Sequence, residues 1–316
     1  MEQIFRKRHL HSRSSSCFRR FELILDNTYN WDQYTLIDSG LGEKLEKFGD
    51  YILIRPEPQA LWPKSLSDAE WIKMAHGRFV RDNSKKSHRD SQNENGGWTF
   101  FKNVPKSWNL EYKPLGLKLK CSCTSFGHLG VFVEQVSNWH FIDEQVKRIG
   151  NPCTVLNLFA YTGASSIVAA KAGADVTHLD AVKNVVTWAN ENKQLSASPD
   201  IRWLVEDAFK FVKRQANKGK IYQGIIIDPP AYGRGPGGEK WVLEEQINEL
   251  MQYCSKIIDP NRNFVLLNLY SMGLSGSIGV NLVQSHFKNN AEWGECIVPS
   301  KSGMNLPLCT WVRSSK

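Results

Sequence analysis

No apolar run in this 316-residue chain approaches the roughly 20 residues that a membrane-spanning helix needs. No two of its seven cysteines, at 17, 121, 123, 153, 254, 296 and 309, form a C-x-x-C pair, and no metal-ligand set is assigned. An odd, scattered set argues against a disulfide framework and leads to the expectation of reduced thiols in the cytoplasm. No aliphatic, Phe, Tyr or Trp side chain occurs in residues 81–97, RDNSKKSHRDSQNENGG. With nothing there to offset the cost of ordering, that stretch is expected to be an exposed loop. Acids are the scarcer charge, 32 against 40 Lys and Arg, and the net charge of +8 favours a polyanionic partner. Part of the excess lies in residues 1–20, where Arg6, Lys7, Arg8, Arg13, Arg19 and Arg20 face Glu2 alone. This segment reads as a solvated tail, with a phosphate-touching arm and an organellar transit peptide as the alternatives.

What is present falls into two rhythms. Residues 21–150 read as a small strand-rich domain with a substrate-recognition role. Its strand-like segments are Tyr51–Ile54, stopped by Pro56 and Pro58, then Leu117–Cys123 and Gly130–Val133, before an amphipathic helix at Trp139–Ile149. From 151 to 316 strands and helices alternate. Strands are expected at Thr154–Phe159, Ala174–Leu179, Ile201–Leu204, Tyr222–Ile227 and Asn263–Leu269. Helices are expected at Ala164–Ala172, Asn184–Asn192, 208–218, 241–257 and 277–288. Ile225-Ile226-Ile227 shows no alternation, as a central parallel strand covered on both faces requires. Two closing strands, near 294–298 and 307–312, have no helix between them and form an antiparallel hairpin. The expected fold is α/β: a Rossmann-like sheet of seven strands with a smaller strand-rich N-terminal domain.

In such a sheet, ligands bind beyond the carboxyl ends of the strands. After the first of these strands comes Asn157-Leu158-Phe159-Ala160-Tyr161-Thr162-Gly163, a tight turn into a helix whose first N–H groups are unpaired. Gly163 is expected to allow close backbone approach. Asp180, followed by Ala181, ends the second strand and suits the two hydroxyls of a ribose. Asp207, followed by Ala208, ends the third and suits an adenine amino group. Asp228 ends the fourth. A dinucleotide would need G-x-G-x-x-G at the first turn, where Phe159 and Tyr161 instead fill the space of a pyrophosphate. S-adenosylmethionine carries no phosphate and tolerates the bulkier turn.

Asp228-Pro229-Pro230-Ala231-Tyr232, followed by Gly233, Gly235, Gly237 and Gly238, is the most specific string in the chain. The prolines hold the backbone extended and rigid, so that main-chain carbonyls can face an incoming amino group. Tyr232 is placed to stack on a planar base, and the glycines after it are expected to permit a mobile flap. A sulfonium methyl is already activated, so the enzyme must chiefly align nucleophile and methyl. Asp228 and the Pro229 carbonyl are the groups assigned to hold an amine for that purpose.

The runs VLNLFAYTGASSIVAAKAGADVTHLDAVKNVVTWANEN, IRWLVEDAFKFVKR and IIIDPPAYGRG resemble the class I S-adenosylmethionine-dependent methyltransferases. Within that class the chain is similar to the bacterial 23S ribosomal RNA large-subunit methyltransferases, strongly over about 152–275 and upstream through GHLGVFVEQ at 127–135. The resemblance implies that Phe159, Tyr161 and Gly163 line the methionine side, and that Phe132 and Gln135 close the site from the N-terminal side. Family members that methylate cytosine C5 carry a nucleophilic cysteine after the fifth strand. Here that string is Tyr270-Ser271-Met272-Gly273, which argues against this chemistry. Cys254 falls on an apolar helix face and reads as core. Residues 1–20 are too short to replace the extra RNA-binding domain of the longer members, which leaves target capture to 21–150, the 81–97 loop or the basic tail. The resulting expectation is direct methylation of a nitrogen on RNA, ribosomal RNA first. A protein or small-molecule methyltransferase and a non-catalytic RNA-binding protein are the alternatives. Nothing in the sequence distinguishes a monomer from a homodimer.

Overall fold

The computed structural model describes residues 24–25, 31–81, 96–270 and 274–316. The basic tail, most of the 81–97 segment and Ser271-Met272-Gly273 lie outside the described residues. Strand β1 (Ile24–Leu25) comes first, and β2 (Tyr34–Gly40), β3 (Glu43–Phe48) and β4 (Tyr51–Pro56) follow as an antiparallel meander. Helix α1 (Asp68–Met74) starts at a capping box in which Ser67 and Glu70 satisfy each other's backbone N–H groups. It leads into β5 (Gly77–Arg81), β6 (Gly96–Phe100) and a separate hairpin, β7 (Trp108–Tyr112) with β8 (Leu117–Cys121). One five-stranded sheet has the order β2-β3-β4-β5-β6, with β6 at its edge. The buried Asp38 carboxylate accepts bonds from the Ser39, Ser65 and Leu66 amides and the Trp71 indole, which pins α1 to this sheet.

The second half alternates. Its elements are α2 (Val136–Ile149), β9 (Thr154–Leu158), α3 (Ala164–Lys171), β10 (Asp175–Asp180), α4 (Lys183–Leu195), β11 (Arg202–Val205), α5 (Ala208–Asn217) and β12 (Gly224–Ile227). They continue with β13 (Tyr232–Arg234), β14 (Lys240–Val242), α6 (Leu243–Lys256), β15 (Phe264–Leu269), α7 (Gly276–Phe287), β16 (Ala291–Val298) and β17 (Leu306–Ser315). The sheet order is β1-β16-β17-β15-β12-β9-β10-β11, parallel except where β17 pairs with β15 and β16. This is a class I methyltransferase-type Rossmann-like core with an additional strand-rich sheet, and β1 joins its edge to make eight strands instead of seven.

The lack of alternation in β12 follows from its two neighbours. Ile226, Val155 and Leu266 face a core that includes Trp139 and Ile142 of α2, while Ile225, Ile227 and Leu158 face Phe211, Leu250 and Met251 of α5 and α6. The first of these cores runs on without a break into Leu36, Phe48, Leu53 and Tyr112 of the N-terminal half. The two sheets are therefore packed on a shared apolar interior, with the strand ends of β9, β10 and β12 near their junction.

Three expectations are corrected. Gly130–Val133 is no strand: Gly130 has φ +86°, and Val133–Gln135 makes a short 3-10 turn directly into α2. That stretch is tied to the turn after β9, where the Thr162 hydroxyl donates to the Gly130 carbonyl at 2.7 Å. Gly96 and Gly97, at the end of the expected loop, belong to β6 and pair with Arg81 and Val80. The glycine-rich segment after Tyr232 is a β13–β14 hairpin, so α6 starts at Leu243 rather than 241.

A Cβ added at Gly130 would meet the Trp188 ring at 2.2 Å, at a backbone angle that side chains rarely adopt. Gly130→Ala is expected to cost about 2–4 kcal/mol, read as a lower urea midpoint at unchanged slope.

Candidate active site

The turn after β9 carries unusual backbone angles. Phe159 (φ 56°), Tyr161 (φ 48°) and Gly163 (φ 87°) are all left-handed, alternating with Ala160 and Thr162. Non-glycine residues in this region store strain, and alternation of this kind curls N–H groups into a concave nest. Two bonds hold the shape: the Ala160 amide donates to the Leu179 carbonyl at 3.0 Å, and the Tyr161 amide to Asp180 Oδ2 at 3.0 Å. Helix α3 then begins with no side-chain cap. Gly163 serves packing as well as backbone angle, since an added Cβ would lie 2.9 Å from the Ala189 Cβ of α4.

Asp180 ends β10 with its other oxygen accepting from the Val182 amide at 2.9 Å. Burial raises its pKa, while the backbone bonds work the other way. Asp207 caps α5, accepting from the Lys210 amide at 2.8 Å. Between these acids two aliphatic side chains stand in the open, Val182 at 50% and Val205 at 41% exposure. Val205 is the register partner of Asp180 across β10 and β11. An apolar pair flanked by two carboxylates suits the faces and edges of a nucleoside, which was not anticipated from Ala181 and Ala208. Ala208 itself is buried.

Asp228, at the end of β12, has a buried carboxylate whose Oδ1 finds no hydrogen-bond partner. Burial, then the facing Glu134, push its pKa up to about 7, against a smaller lowering by the Asn268 amide. Glu134 is raised in turn, chiefly by burial, and Lys44 and Arg55 only partly offset this. Both cations are engaged elsewhere: Lys44 reaches Glu57 at 3.2 Å, and Arg55 reaches Glu46 at 2.8 Å. Behind the two acids runs a buried network. Gln135 donates to the Tyr270 hydroxyl at 2.6 Å and accepts from Asn138 at 2.8 Å and from Asn268 at 3.2 Å, while Asn138 accepts from Arg313 at 2.7 Å.

A cleft of about 270 Å³ lies between the two sheets, lined by Glu134, Tyr270, Phe132, Phe79, Arg81 and Phe126 among others, so that Glu134 and not Asp228 is the acid in its wall nearest this network. The Phe132 ring lies 5.1 Å from Tyr161 and 5.9 Å from Tyr270, so it bridges the turn after β9 and the end of β15. His128, at the same wall, is pushed down to about 4, first by burial and then by Arg55, Lys44 and Arg81.

The hairpin after Asp228 is braced. Trp241 Nε1 donates to the Pro230 carbonyl at 2.7 Å, and the Trp241 ring packs 5.0 Å from Phe159. The Leu243 amide donates to the Ala231 carbonyl, and Glu239 pairs with Lys210 of α5. Tyr232 is 37% exposed on this hairpin, which replaces the expected flap.

Phe132 alone among the assigned residues lines the cleft, while Phe159, Tyr161, Asp180, Asp228, Pro229 and Pro230 stand at the carboxyl ends of β9, β10 and β12 around one strand-end crevice. Three assigned side chains are occupied inside it. Asn157 donates to Ser166 at 2.9 Å, Thr162 donates to Gly130, and Gln135 is spent on the network beneath Tyr270. Cys254 is buried in the core as expected. Sequence reasoning missed Glu134, Tyr270, Asn268, Val182 and Val205. Glu134 had a signal, since it is the one charge inside the apolar run at 129–136. The mouth of the crevice fits S-adenosylmethionine: a concave turn, a ribose-type acid, an apolar pair beside it and an unpartnered carboxylate oxygen where the methyl would meet its acceptor.

Comparison with known proteins gives the same class. A crystal structure of an S-adenosylmethionine-dependent methyltransferase from Agrobacterium tumefaciens is 34% identical, covers 91% of this chain and 92% of its own, and superposes with a TM-score of 0.82. A solved structure from Streptococcus mutans, 16% identical over 90% of this chain and 75% of its own, shares the fold at a TM-score of 0.67. A distant relationship links the chain to the ribosomal RNA large subunit methyltransferase K/L family. The relative from Shewanella frigidimarina is 24% identical over 75% of this chain. The chain spans about a third of the length of that relative, 34%. No family model matches the chain.

The raised Asp228 pKa has a consequence for stability. From about pH 4, where an unfolded Asp ionises, to about pH 7 the folded state resists losing this proton, so stability is lost across that window as pH rises. Asp228→Asn removes the penalty. The variant is expected to be more stable than the wild type by about 2–4 kcal/mol near pH 8, with the gain fading toward pH 4. Parallel urea-unfolding curves for the two proteins across this range would show a solvated Asp228 instead.

Proposed function

This chain belongs to the S-adenosylmethionine-dependent methyltransferases, and from that premise we propose that it methylates a base nitrogen of RNA, with ribosomal RNA the first candidate, in the cytoplasm. The carrying observation is Asp228, an acid with one unpartnered oxygen at the head of a rigid Pro229-Pro230 turn. When bound, S-adenosylmethionine supplies a sulfonium methyl that needs no further activation. The turn at 159–163, Asp180, Asp207, Val182 and Val205 are the residues that would hold it. Asp228 accepts a hydrogen from the acceptor amine, orients its lone pair and takes up the proton released on transfer. A pKa near the working pH suits that task. Phe132, Phe126 and Tyr270 wall the cleft, whose size admits one base turned out of a strand. The buried Cys296 and Cys309 are no candidates for a thiolate nucleophile, since burial holds Cys309 well above the ordinary thiol range. The K/L relatives' name supports an RNA acceptor.

One observation favours a second reading, a small polar molecule as acceptor. The cleft is bounded, and Lys44 and Arg55 in its wall are already paired with Glu57 and Glu46, unlike an open basic groove.

Transfer of labelled methyl groups to fractionated RNA, protein and small metabolites, followed by nucleoside mass spectrometry, separates the readings. Label in an N-methylated nucleoside is expected; label confined to the metabolite fraction would establish the second reading. Asp228→Asn is expected to slow transfer about a hundredfold or more, while cofactor affinity measured by calorimetry changes less than about threefold.

A further inference from the structure

The cleft has an aromatic wall that continues beyond it. Along the β5–β6 pair, Gly77 faces Phe100, Phe79 faces Trp98 and Arg81 faces Gly96, so these six residues share one face of the sheet. Phe79 and Arg81 on this face line the cleft, as does Phe126 opposite them. Trp98 lies 5.4 Å from Phe79, and Phe100 lies 5.9 Å from Trp98 with the rings only 5° from parallel. The rings thus step outward from the cleft to the sheet edge.

Their setting is built rather than incidental. Added Cβ atoms at Gly77, Gly96 and Gly127 would meet the Phe100 or Phe79 rings at 2.8, 2.6 and 2.7 Å, so three glycines clear the space the rings occupy. The Trp98 indole is fixed by its bond to the Thr124 carbonyl at 2.8 Å. The outer end is open, with Phe100 at 50%, Phe126 at 51% and Phe101 at 40% exposure. Edge strands are ordinarily blunted by charge or proline, yet β6, Gly-Gly-Trp-Thr-Phe, has neither. Among the six described residues of this β5–β6 face, Arg81 is the one charge.

We propose that Trp98 and Phe100, continued by Phe126, form the binding track for unpaired nucleotides that flank the base held in the cleft, with the buried Phe79 ring packed against Trp98 as their support. The inference rests on the RNA reading above. Planar rings stack on bases of any sequence, and a cation beside them meets the phosphates. The track leads a strand to the cleft while Asp228 addresses a single base within it, so affinity and chemistry are assigned to different sheets.

The test measures binding of a fluorescent oligouridylate by anisotropy, beside methyl transfer to total RNA. Phe100→Leu is expected to weaken oligouridylate binding about tenfold with cofactor affinity and melting temperature unchanged, and Trp98→Ala to weaken it as much at unchanged cofactor affinity but a lowered melting temperature, since its indole packs on the core and bonds Thr124. Phe100→Trp, which restores a ring, is expected to bind as the wild type does. If wild type and Phe100→Leu bind and methylate RNA alike, the track is overturned while the RNA reading stands. If label appears only in small metabolites, the RNA reading falls and the track is overturned with it, even where oligouridylate still binds the rings. If the variants instead lose self-association by light scattering with oligouridylate binding unchanged, the face joins two copies of the chain, and the track is overturned.

Discussion

An acid without a cation organises the site. Asp228 is carried into the interior by a strand whose every other residue is buried, and its facing neighbour is a second acid, Glu134. Charge there is costly, and Asp228 itself is met by the Asn268 amide, while of these two acids Lys44 and Arg55 act only on Glu134. Asn268, Gln135 and Asn138 pass hydrogen bonds from one to the next and end at Arg313, which stacks 3.9 Å from Trp311. A direct ion pair would lower Asp228 and fill its free oxygen. The amide relay fixes position while leaving the proton affinity high.

The crevice is assembled from both halves of the chain. The strained turn at 159–163 persists because Asp180 and Leu179 take its N–H groups and because α4 closes over Gly163. Phe132 comes from the connection between the halves and touches the turn and the end of β15 at once. The single apolar interior shared by the two sheets makes this placement stiff, so the N-terminal half contributes a wall to the cleft rather than a detached appendage.

Much of the C-terminal architecture was legible in the residues. Unbroken apolar runs marked the central strands, and the acids at 180, 207 and 228 stand at strand ends as read. Local pattern also located the turn at 159–163. What was not legible is non-local. Gly130–Val133 has strand-like composition, but among the described residues no strand pairs with it; the Thr162 hydroxyl takes the Gly130 carbonyl instead, and the Trp188 ring packs closely on Gly130. The 96–97 glycines look like loop and are strand because Arg81 and Val80 pair with them. Asn157, at the head of the stretch read as the cofactor turn, has a buried side chain that donates to Ser166, which in turn bonds His178. Val182 and Val205 gave no signal, since their exposure depends on where two strands stop. Of the site, the acids were visible and the surfaces between them were not.

The indole of Trp241 touches both turns of the site. Its ring rests on Phe159, in the turn that would cradle the donor, and its N–H fixes the Pro230 carbonyl, in the turn that meets the acceptor. The hairpin bearing it is latched to α5 through Glu239 and Lys210. The turn after β9 and the turn after β12 are therefore held in register by one side chain, a planar ring that packs against the first and bonds the second through its single N–H.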